Sequence, residues 1–163
     1  MQQVDWDKAA SEFSWDGSFR DIFVIGATIS DWENVLKMIC EIEPEPVYSE
    51  DHIAMEMPEN LKTIFERRNM LSPRLDFFIS DFLLQCFFFG SPTDYGDIEF
   101  TLDPREMKSI DQLKQLVNFM SRLILLTKKT VVLTHENSQD MRIIEGVLHS
   151  DEIFWTTKSW MPI

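Results

Sequence analysis

Glycine is scarce in this chain, with five in 163 residues. A loop that cradles phosphate needs several glycines close together, so the usual nucleotide-binding signatures are excluded. Cysteine is scarcer still: Cys40 and Cys86 stand far apart in unlike contexts. They build no disulfide framework, and beside nine methionines they fit a reducing compartment. His52, His135 and His149 have no metal-ligand spacing among themselves or with the cysteines. The HENSQ segment that begins at His135 places Gln139 where a zinc protease needs its second histidine. The longest apolar stretch, Phe82–Phe89, is broken by Gln85 and is too short to span a bilayer. The opening MQQVDWDKAASEF has neither a basic start nor an apolar centre, so no secretory signal is expected. These absences point to a soluble cytoplasmic protein that needs no cofactor.

Basic side chains are missing where acids concentrate. The formal net charge is -13. Residues 1–60 hold fourteen acidic side chains against Lys8, Arg20 and Lys37, so most of that charge lies in the first third of the chain. Such asymmetry repels nucleic acid and anionic membrane and attracts basic proteins. The segment Glu41–Glu59 is its extreme, with Glu41, Glu43, Glu45, Glu50, Asp51, Glu56 and Glu59 and no Lys or Arg. Tyr48, Met55 and Met57 are interleaved with them. One reading is a solvated acidic edge. The other is a docking face, with Glu45, Glu50, Asp51 and Glu56 as charge contacts and Tyr48 and Met55 as apolar anchors.

What is abundant is core. Hydrophobic residues make up 44% of the chain, including thirteen Phe and five Trp, which excludes general disorder. Strands are expected at Arg20–Ile25, Val47–Tyr48, Ile53–Met57, Arg74–Ser80, Phe82–Phe89, Ile98–Leu102, Thr130–Thr134 and Glu152–Thr157. Phe82–Phe89 is apolar on both faces and reads as a central strand. Ser30 with Glu33 is a capping signal for a helix that ends before Pro44. Pro58 is placed to begin a short helix reaching about Arg67. Ser109 with Gln112 opens a long helix to about Thr127, and Asn137 is placed to cap another through Leu148. The order has no strict βαβ alternation, so the expected fold is α+β: one largely antiparallel sheet with three to four helices packed on it. The expected divisions are an N-terminal arm at 1–18, a single domain at 19–157 and a C-terminal tail at 158–163.

Two further sets of residues carry candidate chemistry. Asp97, Glu99 and Asp103 share one face of a strand, with neighbouring positions roughly 6.5–7 Å apart. That suits a two-carboxylate or metal-dependent hydrolase, or simply the wet face of an amphipathic strand. Cys86 lies in an apolar strand, where burial raises a thiol's pKa and makes it inert; Cys40 falls on the apolar stripe of the first long helix. Trp155, Trp160 and the segment Lys158–Ile163 offer a contact for a homodimer.

The phrases WDGSFRDIFV at Trp15–Val24, DW at Asp31-Trp32, QCFFF at Gln85–Phe89, DIEFTLDPREM at Asp97–Met107 and LTHEN at Leu133–Asn137 together resemble a family of small, uncharacterised bacterial proteins. The resemblance runs from about Trp15 to Phe154 and carries no assigned chemistry. In size, acidity and expected fold the chain also resembles the immunity proteins of bacterial toxin systems, which inactivate a cognate toxin by binding it. That likeness implies a non-enzymatic inhibitor, monomer or homodimer, that occludes the active site of a basic partner.

Overall fold

Alternating apolar and polar residues place one face of a sheet against helices and leave the other open. In the computed structural model this happens over nine strands, and the description covers residues 3–157 and Trp160. The strands are β1 Arg20–Val24, β2 Val47–Glu50, β3 Ile53–Ala54, β4 Arg74–Ile79, β5 Phe82–Phe87, β6 Ile98–Leu102, β7 Val131–His135, β8 Ser138–His149 and β9 Glu152–Thr157. They join in the order β3-β2-β4-β5-β6-β1-β7-β8-β9, and every pairing is antiparallel. The helices are α1 Trp6–Ala9, α2 Ile29–Ile42, α3 Leu61–Leu71 and α4 Ile110–Thr127. The fold is therefore the expected single α+β domain. No helix among the described residues is long and apolar enough to cross a membrane.

The core forms where α2, α3 and α4 meet the covered face of the sheet. Phe119 of α4 packs against Phe77 of β4 and Phe100 of β6 at centroid distances of 5.8 and 5.2 Å. Trp32 of α2 stands edge-on to Phe65 of α3 and stacks on Phe88, and its indole N–H donates to the Gly96 carbonyl. The phenylalanine surplus is thus an aromatic core, in which offset and edge-on rings are favoured. In β5 the alternation is strict, with Phe82, Leu84 and Cys86 buried and Leu83, Gln85 and Phe87 partly open. It has neighbours on both edges but only one covered face. Cys86 is fully buried, and desolvation pushes its thiol well above the usual range. Cys40 is exposed, because Met38 and Ile39 take the inward positions of that turn of α2.

Three of the four helical expectations shift or fail. α2 is capped two residues earlier than Ser30: the Thr28 hydroxyl accepts from the Asp31 N–H, and Asp31 accepts from the Thr28 N–H. α3 is capped by Asn60 rather than opened by Pro58, and it runs past Arg67 to Leu71. α4 is capped by Ser109 as expected, with the Gln112 side chain accepting from Lys108 N–H. The helix expected at Asn137–Leu148 is instead β8. Its edges are filled by β7 and β9, and Ile144 and Gly146 face the core by alternation. A Cβ at Gly146 would lie 2.4 Å from Ile124 Cδ1 of α4, so this strand needs glycine for close approach. Asn137 takes a positive φ in the two-residue turn between β7 and β8 instead of capping a helix. With glycine scarce, left-handed positions fall largely to Asp, Ser, His, Lys and Asn.

The N-terminal segment belongs to the core: Val4, Ala9 and Phe13 are buried within it. Arg20 holds the segment down. It is 1% exposed, and its guanidinium donates to the carbonyls of Glu12, Ser14, Ser18 and Phe19 and to both carboxylate oxygens of Asp16. The Arg20 side chain is thus a buried fork that joins β1 to the preceding turn. Arg105 does form an exposed pair, with Asp103, and it lies 4.0 Å over the Trp15 ring. Of the expected tail, Trp160 alone lies within the described residues. It is buried, and its carbonyl accepts from the Asp5 N–H. Trp155 packs half-buried against the same core, so of the two tryptophans only it keeps open surface.

Candidate functional site

The acidic segment becomes one edge of the sheet. α2 ends at Ile42, Pro44 and Pro46 keep the chain extended, and β2 and β3 form a hairpin. Its two turn residues, Asp51 and His52, have φ of 47° and 66°, the primed turn that matches strand twist. The Asp51 N–H donates to the Leu71 carbonyl and ties the turn to the end of α3. The phase of this turn decides which side chains face out.

Pairing with β4 sets Tyr48 opposite Leu75, which turns Tyr48 and Glu50 inward. Tyr48 is 2% exposed and Glu50 4%. The Tyr48 hydroxyl donates to Glu50 Oε1 at 2.8 Å, and Arg67 of α3 donates to the same oxygen at 2.9 Å. Burial, reinforced by the Glu50 carboxylate, pushes the Tyr48 phenol well above its usual range. The pair expected to meet a partner therefore fastens β2 to α3. Removing the acceptor would strand a buried hydroxyl, so Glu50→Ala is expected to destabilise the protein by roughly 1–2 kcal/mol. Glu50→Gln, which keeps an acceptor for Tyr48, should recover about half of that. Urea unfolding midpoints measure both, and an Ala variant as stable as wild type would remove the fastening role.

The other four expected contacts are exposed: Glu45, Asp51, Met55 and Glu56. Glu41 and Glu59 are also exposed, and Glu41 lies 3.9 Å from Arg122. Sequence reasoning missed the apolar members of this edge. Val47 is 50% exposed and Ile53 67%, larger openings than that of Met55. Strand period was the available signal: once Tyr48 points inward, Val47 must point outward. The outcome is an open apolar strip of Val47, Ile53 and Met55 bordered by carboxylates.

The carboxylates of the second candidate site are separated by their partners. Asp97 accepts from the Gly26 N–H at 2.7 Å and from the Gln139 amide at 2.9 Å. Asp103 is bound by the Arg105 guanidinium, which holds its carboxyl below the usual range. Glu99 accepts no hydrogen bond from the described residues. It lies between Phe23 of β1 and Phe87 of β5 across the open face of the sheet. Desolvation, with the nearby charges of Asp21 and Asp97, pushes its carboxyl up to about 7. Asp21, which the sequence did not single out, is 1% exposed and accepts from the Thr101 hydroxyl and the Asn137 N–H. Its carboxyl is also raised, chiefly by burial. Among the described residues no three His, Cys, Asp or Glu side chains are grouped to hold a metal ion. Asp97 and Asp103 are committed to structure, and Glu99 is left as a single carboxyl with a raised affinity for its proton.

Compared with protein-family models, curated proteins and solved structures, the chain gives no match.

Proposed function

We propose that this chain is a non-enzymatic binding protein whose β2–β3 edge docks onto a basic protein, in the manner of an immunity protein occluding a toxin's cleft. The observation that carries this reading is the exposed edge itself: Glu45, Asp51 and Glu56 beside Val47, Ile53 and Met55, in a segment without Lys or Arg. Exposed apolar side chains in a ring of like charge suit a partner that brings the opposite charge. The carboxylates would steer encounter, and the apolar strip would supply contact area once water is expelled. The likeness in size and acidity to bacterial immunity proteins supports the same reading, and with it a role in the cytoplasm. A hydrolase reading retains less, because Asp97 and Asp103 already have partners.

The test uses two baits, the wild-type chain and a variant carrying Glu45→Lys, Asp51→Lys and Glu56→Lys. Each is passed over bacterial extract, and the proteins that wild type retains are purified for association kinetics with both forms. The variant is expected to associate about tenfold more slowly at low salt, with the difference shrinking as salt screens the charges. A recovered partner that binds both forms at the same rate would remove this edge from the interface.

A further inference from the structure

The acidic edge continues into a groove. Beyond Met55 and Glu56 the chain crosses to α3, and a hollow of about 530 Å³ opens between this crossing and α2. Its floor is apolar: Leu36 of α2 and Leu61 and Ile64 of α3 are all buried. Pro58 forms part of the wall. Its rim carries two exposed carboxylates from different elements, Glu33 on α2 and Glu59 on the crossing.

Neither carboxylate has a hydrogen-bond or ion-pair partner among the described residues. The cations that could neutralise them are directed elsewhere. Lys62 pairs with Glu66 at 3.8 Å, and Lys37 lines a different hollow with Glu41 and Arg122. An apolar floor beneath two uncompensated negative charges matches one kind of side chain: a long hydrocarbon stem ending in a cation.

We propose that this groove receives a lysine or arginine side chain of the basic partner, its stem on Leu36, Pro58 and Leu61 and its charge between Glu33 and Glu59. The inference rests on the docking reading above and names the kind of side chain the partner must present. The groove is larger than one side chain, so the cation arrives with its neighbouring residues rather than alone.

The groove can be tested without the partner. The probe is Nα-acetyl-lysine methylamide, with the norleucine analogue as its uncharged counterpart, titrated against the full chain by amide chemical shifts. Saturable shifts are expected at Leu36, Asn60 and Leu61 for the lysine compound and not for norleucine. The Glu33→Gln/Glu59→Gln variant, altered only at exposed positions, should bind at least about fivefold more weakly. The Glu45, Asp51 and Glu56 reversal variant should bind about as well as wild type. Shifts that do not saturate, or equal binding by the Gln variant, would overturn the proposal. If the groove fails while a recovered partner still discriminates against the reversal variant, the groove assignment falls and the acidic-edge reading stands. If the groove binds lysine but no partner discriminates, the groove stands and the edge reading falls.

Discussion

Replacing Arg20 with methionine is expected to destabilise the fold by roughly 3–5 kcal/mol, because it leaves several backbone carbonyls without a donor at about 1–3 kcal/mol each. The guanidinium is almost completely buried, and it satisfies four backbone carbonyls as well as Asp16. Methionine fills much of the volume and leaves those carbonyls without their donor. Lysine restores the charge but not the fork, because one ammonium cannot reach Glu12, Ser14 and Phe19 together. Arg20→Lys should therefore recover less than half of the loss. The hydrogen bond from Arg20, with those from Ser18, holds the Asp16 carboxyl far below its usual range, and the largest part of that preference goes with the arginine. Two measurements check the result: urea unfolding, and limited proteolysis within residues 5–18. If Arg20→Met unfolded at the wild-type midpoint with the segment still protected, Val4, Ala9 and Phe13 would be sufficient to hold it.

The second large effect depends on pH. Glu99 has an ordinary carboxyl value of 4.5 when unfolded and about 7 in the fold. The folded state therefore binds the proton more tightly, and stability from this group is fully present below pH 4.5 and lost as pH rises through about 7. Glutamine mimics the protonated form and does not titrate. Glu99→Gln and wild type should be about equally stable near pH 4.5 and diverge above it, with the variant more stable at pH 8. At about 1.4 kcal/mol per pH unit the difference is bounded near 3 kcal/mol, and solvent screening of a partly open carboxyl brings it to about 2 kcal/mol. Unfolding free energies at pH 5 and pH 8 give the comparison. A difference that did not grow with pH would mean that Glu99 is already ionised in the fold at the lower pH.

Both effects arise at places where the sequence offered a different account. Arg20 sits among Asp16 and Asp21 and reads as a surface charge. Its burial follows from β1 lying inside the sheet and from the Asp16-Gly17 turn folding back over it, with Gly17 at a φ of 92°. Glu99 reads as the wet side of an amphipathic strand, and its alternation with Ile98 and Phe100 is as expected. Its proton affinity comes from burial between β1 and β5 and from the charges of Asp21 and Asp97, which β6 alone does not reveal. In the acidic segment the exposed Glu45, Asp51, Met55 and Glu56 agree with the sequence reading, while Tyr48 and Glu50 turn inward because β4 sets the phase of β2.

Sequence alone determined what depends on local period and local chemistry. The strand β6 follows from alternation, β1, β4 and β5 from short apolar runs bounded by turn residues, α4 from its Ser109 cap and apolar stripe, and the charge asymmetry from composition. Tertiary structure decided what depends on partners far along the chain. Asn137–Leu148 has enough helical spacing to suggest a helix. It becomes β8 because β7 and β9 both need its edges, and because Gly146 admits Ile124 and Trp155. The same holds for the groove beneath Glu33 and Glu59: its walls come from α2 and from the residues leading into α3, and neither segment encodes the space between them. Backbone pairing and close packing are properties of two segments at once, so a pattern read along one segment leaves them open.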